Sequence, residues 1–366
     1  MRIAYGVHGY GRGHAIRSLT VLSNLARRHE ILVLAGGDAL PLLSAFPLVE
    51  IPALIFGYQG ARLSAARTLG ENARLLAALL VRGGPVAEVG ETLRRFRPDA
   101  VVSDSEPVVL RAAGRLGVPR IGFDHVGIIA WCRPDVPPGD AVKLGRDAAT
   151  YRLLMGHPER VMVSSFFEAP PRRPDVTVVP PVLRERVLRA QVREGEHLLV
   201  YFNQPRLFTP AVLAAVAGAE VPAFVYGSGR CGRSGNIFFK PIDEATFVED
   251  LATARAVLAT SGHQLASEAL HLGKPMLLYP EDSAEQRLNA RELVRLGVAQ
   301  SVRRGELTGE VLRRFLSDLD GPRSALSRIS RDGNARAIAV LEAHFRTLPT
   351  GRSPSGMAPR MAAGVR

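Results

Sequence analysis

Few cysteines and no long apolar runs narrow the classes of protein that this sequence can specify. Its two cysteines, Cys132 and Cys231, stand alone, without metal-ligand spacing or a disulfide framework. No apolar run approaches the ~20 residues that a membrane-spanning helix needs. The sequence enters a strand pattern directly after Met1, so we expect no signal peptide. These absences favour a protein of the cytoplasm over a secreted or membrane-spanning one.

Lysine and aromatic side chains are also scarce, and this bears on the partners we expect. The chain has 47 basic residues, only three of which are lysines, and a formal net charge of +12. Such a charge invites a nucleic-acid interpretation. However, the arginines are spread along the chain, and no dense basic run is interleaved with aromatics, which make up 6% of the residues. A phosphorylated substrate, or a peripheral contact with the acidic inner face of a membrane, therefore fits better than nucleic acid.

Two successive series of strand and helix patterns predict two α/β domains. Each series begins with a strand, at residues 2–8 and again at Leu198, and helical patterns follow. This alternation is typical of doubly wound parallel sheets. The predicted divisions are a first domain over 1–181, a linker over 182–196, a second domain over 197–323, a helix over 324–346, and a tail over 347–366 that we expect to be disordered.

The segment from Arg255 to Gly297 has the richest chemical pattern. A short apolar strand ends at a turn, Ser261-Gly262, and a helix follows. Such a turn leaves backbone N–H groups unpaired at the positive end of the helix dipole, which suits a phosphate. Glu268 lies about one turn into the helix, where its carboxylate could reach a ribose. On these residues alone, an ordinary βα unit with a solvated glutamate is an equally good interpretation.

This segment resembles the donor-binding signature of GT-B glycosyltransferases. The resemblance is to the peptidoglycan GlcNAc-transferase group (family 28-like) and a poorly characterised bacterial and archaeal branch related to it. The matching residues are Ser261-Gly262, Ser267-Glu268, Gly273, Pro275, Pro280, Glu285-Gln286, Asn289-Ala290 and Leu296-Gly297. One departure is Thr260, where many members carry a phosphate-binding histidine; this chain has His263 nearby instead.

The resemblance implies two Rossmann-like domains facing a cleft, with the last helix crossing back to the first domain. It also implies a UDP- or dTDP-linked sugar as co-substrate, no cofactor and no metal ion, because a helix N-terminus carries the diphosphate. The implied donor sugar ligands are Glu285 and Gln286. The implied nucleotide and phosphate ligands are Ser261, Gly262, His263, Gln264, Ser267, Glu268 and Phe239.

A glycine-rich loop over residues 8–14 follows the first strand, and it predicts the catalytic residues. Its glycines are evenly spaced, unlike those of the dinucleotide fingerprint, and the piece from Gly11 to Ser18 resembles the N-terminal loop of the same branch. Histidine suits base work near neutral pH, and His14 lies at a helix N-terminus whose dipole disfavours protonation. Asp104, at a strand end, could orient the imidazole. The further cleft candidates are Gly11, Arg12, Gly13, Arg17, Asp124 and His125.

Simpler roles remain open for these residues. His14 could bond its own helix start, and Asp104 could cap the segment that follows it. Asp124 and His125 form a reserve dyad, so either His14 or His125 could be the base.

The acceptor site is the least defined part of the prediction. Residues 54–95 read as one or two basic, partly apolar helices, Leu69–Val81 and then Val86–Phe96, and residues 126–145 read as a loop. The first segment could be an acceptor-binding flap or a membrane-surface patch, although helices packed on the sheet are the more ordinary interpretation.

We therefore predict an inverting glycosyltransferase that uses a small-molecule or lipid-linked acceptor. The alternatives are a nucleotide-sugar 2-epimerase or hydrolase on the same fold, and a non-catalytic protein that binds nucleotide sugars. The sequence identifies neither the sugar, nor the base of the donor, nor the acceptor.

Overall fold

Two seven-stranded sheets dominate the computed structural model, which describes residues 1–60, 62–80, 83–327 and 332–348. The strands of the first half are β1 (Arg2–Val7), β2 (Glu30–Ala35), β3 (Leu48–Glu50), β4 (Tyr58–Gln59), β5 (Arg62–Leu63), β6 (Ala100–Asp104), β7 (Arg120–Asp124), β8 (Arg160–Ser164) and β9 (Val176–Val179). The first sheet is parallel throughout, in the order β3-β2-β1-β6-β7-β8-β9, whereas β4 and β5 form a separate antiparallel pair. The central strands are apolar and buried on both faces, as in sheets covered by helices.

The helices of the first half connect these strands and cover the sheet. They are α1 (Arg12–Leu25), α2 (Leu40–Leu43), α3 (Ala65–Glu71), α4 (Ala73–Leu80), α5 (Pro85–Phe96), α6 (Pro107–Leu116), α7 (Gly127–Trp131) and α8 (Pro138–Met155), with a 3-10 turn at Gly37–Ala39. The connection into the second half contains one short helix, α9 (Glu185–Leu188).

The second half repeats the architecture. Its strands are β10 (Leu198–Tyr201), β11 (Ala223–Tyr226), β12 (Gly232–Ser234), β13 (Ile237–Phe239), β14 (Ala256–Ala259), β15 (Met276–Leu278) and β16 (Ala299–Ser301). The sheet order is β12-β13-β11-β10-β14-β15-β16, and only β12 is antiparallel to its neighbour. The helices are α10 (Pro210–Ala217), α11 (Glu244–Thr253), α12 (His263–His271), α13 (Ala284–Arg295), α14 (Gly309–Ser317), α15 (Asp320–Leu326) and α16 (Asn334–Thr347), with a 3-10 turn at Pro205–Leu207. Two parallel-sheet domains confirm the predicted α/β class.

The final helix packs on the first domain, although its sequence follows the second. Ala337, Leu341 and Phe345 of α16 belong to the same apolar cluster as Val21 and Leu25 of α1. The helix predicted over 324–346 is two helices, α15 and α16, and part of the connection between them lies outside the described residues. Residues 349–366, most of the predicted tail, also lie outside them.

Two predictions of local structure were wrong. The single helix predicted over Leu69–Val81 is divided into α3 and α4 at Asn72, and Val81 lies outside the described residues. The Asn72 amide bonds the Ile55 backbone in both directions, at 3.0 and 2.7 Å, and so competes with helix continuation. The loop predicted to extend to residue 145 gives way to α8 at Pro138, because proline is well accommodated at the first helical position.

Candidate active site

A histidine from the first helix and an aspartate from a central strand meet at the carboxyl edge of the first sheet. His14 lies in the first turn of α1, and Asp104 ends β6, which pairs with β1 in the sheet. The Nδ1 atom of His14 is 2.7 Å from Asp104 Oδ1, and the His14 side chain is 21% exposed. Because a carboxylate only accepts, Nδ1 carries the proton and donates it. Nε2 of a neutral ring is then the nitrogen left with a lone pair.

Asp104 is held ionised by a buried set of donors. Arg17 Nε lies 3.0 Å from Oδ2, Arg17 Nη2 lies 2.5 Å from Oδ1, and the Ser18 hydroxyl donates to Oδ2 at 3.0 Å. Burial alone would raise the pKa of Asp104, but the charge of Arg17 and the hydrogen bonds from His14 and Arg17 outweigh it and lower the pKa. Arg17, predicted to face the cleft, is 3% exposed and lies behind the dyad, so it supports Asp104 and is not presented to an acceptor.

The loop that carries the dyad approaches the second domain closely. Gly11 is the N-cap of α1 with φ of +76°, a conformation that glycine adopts without strain, and Asp38 accepts its N–H at 2.8 Å. A Cβ placed on Gly13 would lie 3.4 Å from Cβ of Gln264, in the first turn of α12. The N-termini of α1, beginning at Arg12, and of α12 therefore face each other, and both present the positive end of a helix dipole.

At the start of α12, two buried polar atoms have no partner. His263 Nδ1 and Gln264 Oε1 make no hydrogen bond within the described part of the chain, and both side chains are more than nine-tenths buried. A Cβ on Gly262 would meet only Thr260 Oγ1, at 4.0 Å, so the space in front of this turn is open. Buried polar groups are rarely left unpaired: His263 Nδ1 can donate to an anion bound at this helix N-terminus, whereas Gln264 Oε1 only accepts and suits a hydroxyl.

Two other predicted phosphate ligands are committed to the protein. The Ser261 hydroxyl donates to the Gln286 carbonyl at 2.6 Å, and the Ser267 hydroxyl donates to the His263 carbonyl at 2.8 Å. Their side chains fix the turn and the first turn of the helix. In contrast, His263 Nδ1 and Gln264 Oε1 have no partner among the described residues, and the space before Gly262 is open.

Glu268, predicted to bind ribose, is fully buried and already paired with an arginine. Arg184 Nε and Nη2 lie 2.8 and 2.6 Å from its two oxygens, in a bidentate fork, and Gln264 Nε2 donates to Oε1 at 2.9 Å. Three of its roughly four acceptor positions are thus occupied. The sequence prediction missed Arg184, which lies in the connection between the domains.

The reserve dyad of Asp124 and His125 is occupied by structural bonds. His125 Nδ1 lies 2.8 Å from the Ser164 carbonyl, and Nε2 lies 2.8 Å from Asn289 Oδ1. Its ring stacks on His263 at 3.8 Å between centroids, and burial lowers the pKa of His125 to about 4. Asp124 accepts a hydrogen bond from the Gly127 N–H at 2.5 Å and another from the Tyr151 hydroxyl. Neither residue presents a free atom to an acceptor, contrary to the prediction.

The predicted sugar ligands lie at the start of α13, and they differ in how many hydrogen bonds their side chains already make to the protein. Glu285 Oε1 accepts from Asn289 Nδ2 at 2.8 Å, and its side chain is 22% exposed. Burial raises the pKa of Glu285 to about 7, against the lowering effect of that bond. The Gln286 amide is bonded twice to Glu281, a residue that the sequence prediction missed: its Oε1 accepts the Glu281 N–H at 2.9 Å, and its Nε2 donates to Glu281 Oε1 at 3.1 Å.

The remaining candidate is Phe239, at the end of β13. Its ring is partly buried, and the guanidinium carbon of Arg230 lies 5.7 Å from the ring centre. Among the described residues, no group of three or more His, Cys, Asp or Glu side chains is arranged to hold a metal ion. No helix within the described ranges is both long and apolar enough to cross a membrane.

Two facing parallel-sheet domains, with a His–Asp pair on one side and an open helix start on the other, are the architecture of a GT-B glycosyltransferase. The sequence model of glycosyl transferase family 1 matches residues 1–320, and the chain belongs to this family. The protein is therefore a glycosyltransferase of the GT-B type that uses nucleotide-sugar donors. A comparison with curated sequences finds no match.

Solved structures of the same fold cover almost the whole chain. The glycotransferase of kitacinnamycin aligns with a TM-score of 0.66 at 20% identity, over 95% of this chain and 99% of that one. MurG of Acinetobacter baumannii aligns with a TM-score of 0.60 at 17% identity, over 93% and 99%. UGT2 of Phytolacca americana, complexed with UDP-2-fluoroglucose and pterostilbene, aligns with a TM-score of 0.63 at 17% identity, over 94% and 98%. These likenesses show the GT-B fold.

Proposed function

We propose that the protein transfers a sugar with inversion from a UDP- or dTDP-linked donor, and that His14 is the general base. The observation that carries this proposal is the 2.7 Å bond between His14 Nδ1 and buried Asp104. As the acceptor oxygen attacks the anomeric carbon, its proton passes to Nε2 of His14. The bond from that carbon to the diphosphate oxygen breaks, and its electron pair leaves with the nucleoside diphosphate. Asp104 stabilises the imidazolium that forms.

The start of α12 is the proposed diphosphate site. The unpaired His263 Nδ1, the open space before Gly262 and the helix dipole together favour a diphosphate there, and Gln264 Oε1 would accept from a hydroxyl of the same ligand. A neutral His263 with the proton on Nδ1 would donate to a phosphate oxygen, and burial does keep this imidazole neutral by lowering its pKa. Glu268 would bind the ribose, with the hydroxyls adding to its remaining acceptor position or displacing Arg184.

The proposed sugar ligands are Glu285 and Gln286. Both lie in the first turn of α13, and the carbonyl of Gln286 is bonded to Ser261 in the phosphate turn. A sugar attached to a diphosphate at α12 would reach this turn. Glu285 is partly exposed, so its carboxylate is accessible to a sugar hydroxyl.

We further propose that departure of the diphosphate needs no metal ion. Two helix N-termini face the proposed diphosphate position, and Arg12 opens one of them. Fixed dipoles and guanidinium groups of this kind stabilise developing negative charge without reorganisation. Transfer that continues at an unchanged rate in excess EDTA would support this proposal, and transfer restored only by a divalent cation would contradict it.

The acceptor would bind beside the glycine-rich loop of the first domain. The Tyr10 ring meets the Phe56 ring edge-on at 4.9 Å between centroids, and Ile55, Phe56 and Leu69 are 44%, 47% and 62% exposed. Apolar side chains exposed in one segment favour an acceptor with an apolar part. A small molecule and a lipid-linked acceptor held at the inner membrane face of the cytoplasm both satisfy this chemistry.

A thermal-shift screen tests the donor half of the proposal. UDP, dTDP and a panel of their sugar derivatives would be compared, and a ligand at a hundredfold its Kd should stabilise the fold by about 2.7 kcal/mol. Binding of none of them would contradict a nucleotide-sugar site.

Donor turnover without acceptor separates the alternatives. Release of free sugar or interconversion of the donor at a rate that acceptors do not increase would favour a hydrolase or 2-epimerase. Sugar transfer that requires an acceptor would support the proposed function. Inversion would be read from the anomeric configuration of the product.

A further inference from the structure

A small hairpin of the first domain reaches across the cleft to the donor side. The pair β4–β5 is fixed on α3, since Gly57 donates to Thr68 Oγ1 at 2.9 Å and accepts from the Ser64 N–H at 2.9 Å. A Cβ on Gly57 would lie 2.5 Å from the Thr68 nitrogen, so only glycine allows this approach. These contacts fix the hairpin on α3, and they hold Tyr58 in a defined position.

Tyr58 occupies a socket formed by the second domain. Its hydroxyl donates to Glu281 Oε2 at 2.6 Å, and the guanidinium carbon of Arg206 lies 4.6 Å from its ring centre. The residue is 4% exposed. Burial and the Glu281 charge raise the pKa of Tyr58, so the hydroxyl keeps its proton and remains a donor. Tyr10 of the glycine-rich loop in turn donates to the Tyr58 oxygen at 2.9 Å.

Glu281 transmits the position of Tyr58 to the sugar-binding turn. Its side chain accepts from Tyr58 on Oε2 and from Gln286 Nε2 on Oε1, and its backbone N–H donates back to Gln286 Oε1. Glu281 is 3% exposed, so when the Tyr58 hydroxyl is removed Oε2 loses a donor that water would not replace, while Oε1 keeps only its bond from Gln286. The Gln286 amide is consequently held with one N–H hydrogen and one lone pair to spare.

We propose that Tyr58 is a positioning residue for the donor sugar, acting through Glu281 on the Gln286 amide. The inference rests on the proposed function, because it takes Gln286 as a sugar ligand. According to this proposal, the β4–β5 hairpin of the first domain contributes to the choice of donor sugar. The sugar binds at the start of α13 in the second domain, and the geometry of that turn depends on Tyr58 of the hairpin. The nucleotide, bound at α12, lies outside this chain of bonds.

The variant Tyr58→Phe tests the proposal, with each donor compared against its own free diphosphate. The probes are UDP and UDP-N-acetylglucosamine, or dTDP and dTDP-glucose if the thermal-shift screen selects thymidine. Because Tyr58 acts through Gln286, its effect can reach but not exceed the loss of a Gln286 hydrogen bond to the sugar, about 3- to 10-fold in affinity. We expect the KM and Kd for the sugar nucleotide to rise by that factor. The kcat and the Kd of the free diphosphate should change less than about threefold.

Tyr226→Phe is the matched control. The Tyr226 hydroxyl is also buried and also donates to a carboxylate, that of Asp250, but it lies on β11 away from the sugar-binding turn. It should lose stability without changing the ratio of the two dissociation constants. If Tyr58→Phe does not fold, Glu281→Gln replaces it, and the same selective loss is expected.

The outcomes separate this inference from the proposed function. Equal weakening of sugar nucleotide and diphosphate in Tyr58→Phe, or no weakening of either, would overturn the role of Tyr58 while the unmodified protein still binds donor and transfers sugar. An unmodified protein that binds neither probe would contradict the proposed function itself.

Discussion

The carboxyl edges of the two sheets face the same cleft, but they differ in whether their buried polar groups already have hydrogen-bond partners. On the first domain, Asp104 accepts from His14, Arg17 and Ser18, so the buried carboxylate has its partners before any substrate arrives. On the second domain, His263 Nδ1 and Gln264 Oε1 are buried without a partner among the described residues. The protein itself supplies the partners on the first side, and we propose that a ligand supplies them on the second.

This difference corresponds to a division between catalysis and binding. A group that acts in a transition state gains from being held in place in advance, because no reorganisation is then needed during the reaction. A buried polar atom without a partner costs roughly 1–3 kcal/mol, which a ligand that supplies the partner recovers as affinity. Variants on the first side should therefore change turnover, and variants on the second side should change donor affinity.

The largest expected effect is that of His14→Ala on turnover. Loss of a positioned base typically reduces the rate by ~10²–10⁴, and we expect a fall of this size with donor Kd nearly unchanged. Steady-state kinetics and donor titration would measure both. His29→Ala is the control, since His29 pairs with Glu342 away from the cleft. Near-normal turnover of His14→Ala would remove His14 from the role of base.

Asp104→Asn should have the largest effect on stability. It leaves Arg17 buried without its carboxylate, and breaking a buried pair costs about 3–5 kcal/mol. The folded-state pKa of Asp104 is lowered, so its contribution is present above the ordinary value near 4 and is lost as pH falls through the lower folded value. Denaturant unfolding should show the gap between the two proteins closing below about pH 4. A pH-independent gap, or a loss no larger than that of the exposed control Asp38→Asn, would contradict this.

On the donor side, Glu268→Gln should weaken nucleotide binding. Loss of a charged acceptor for ribose hydroxyls costs about 1.5–3 kcal/mol, or roughly 10–100-fold in Kd for UDP or dTDP. The variant also leaves Arg184 without a charge partner, so its Kd must be measured well below its own unfolding temperature. Glu244→Gln is the control. Glu244 Oε1 also lies near Arg184, 3.9 Å from Nη1, but its side chain is 46% exposed. Unchanged affinity in a folded Glu268→Gln would show that ribose binds elsewhere.

The smallest expected effect is that of Gln286→Ala. We expect the sugar nucleotide to bind more weakly by about 0.5–1.5 kcal/mol, the usual worth of a hydrogen bond, while the free diphosphate binds as before. Calorimetry with the two ligands measures the difference. Equal losses of affinity for the two ligands would show that Gln286 contacts the nucleotide and not the sugar.

The parts of the site that follow local sequence rules were the predictable ones. A glycine-rich loop after β1 and an aspartate at the end of β6 had to meet, because the carboxyl ends of adjacent parallel strands share one edge. The open turn before α12 was likewise readable from Ser261-Gly262. These features need only a strand, a turn and a sheet order.

Contacts between distant segments were beyond such rules. Arg184 and Glu268 are 84 positions apart, and Tyr58 and Glu281 are 223 positions apart, so no spacing in the sequence pairs them. The same limit explains Arg17, which the sequence placed at the cleft and the fold turned toward Asp104. The sequence alone does not distinguish a charged residue that binds substrate from one that neutralises another buried charge.

The return of α16 to the first domain has a mechanical consequence. The chain passes between the domains twice, and the two crossings are joined: Asn334 bonds the Leu183 backbone N–H at 2.8 Å and its carbonyl at 2.7 Å, and Gly333 donates to Pro181 at 2.8 Å. Two parallel tethers fixed side by side resist twisting and sliding far more than bending. We therefore expect any relative motion of the two domains to be restricted toward a single rotation about this junction.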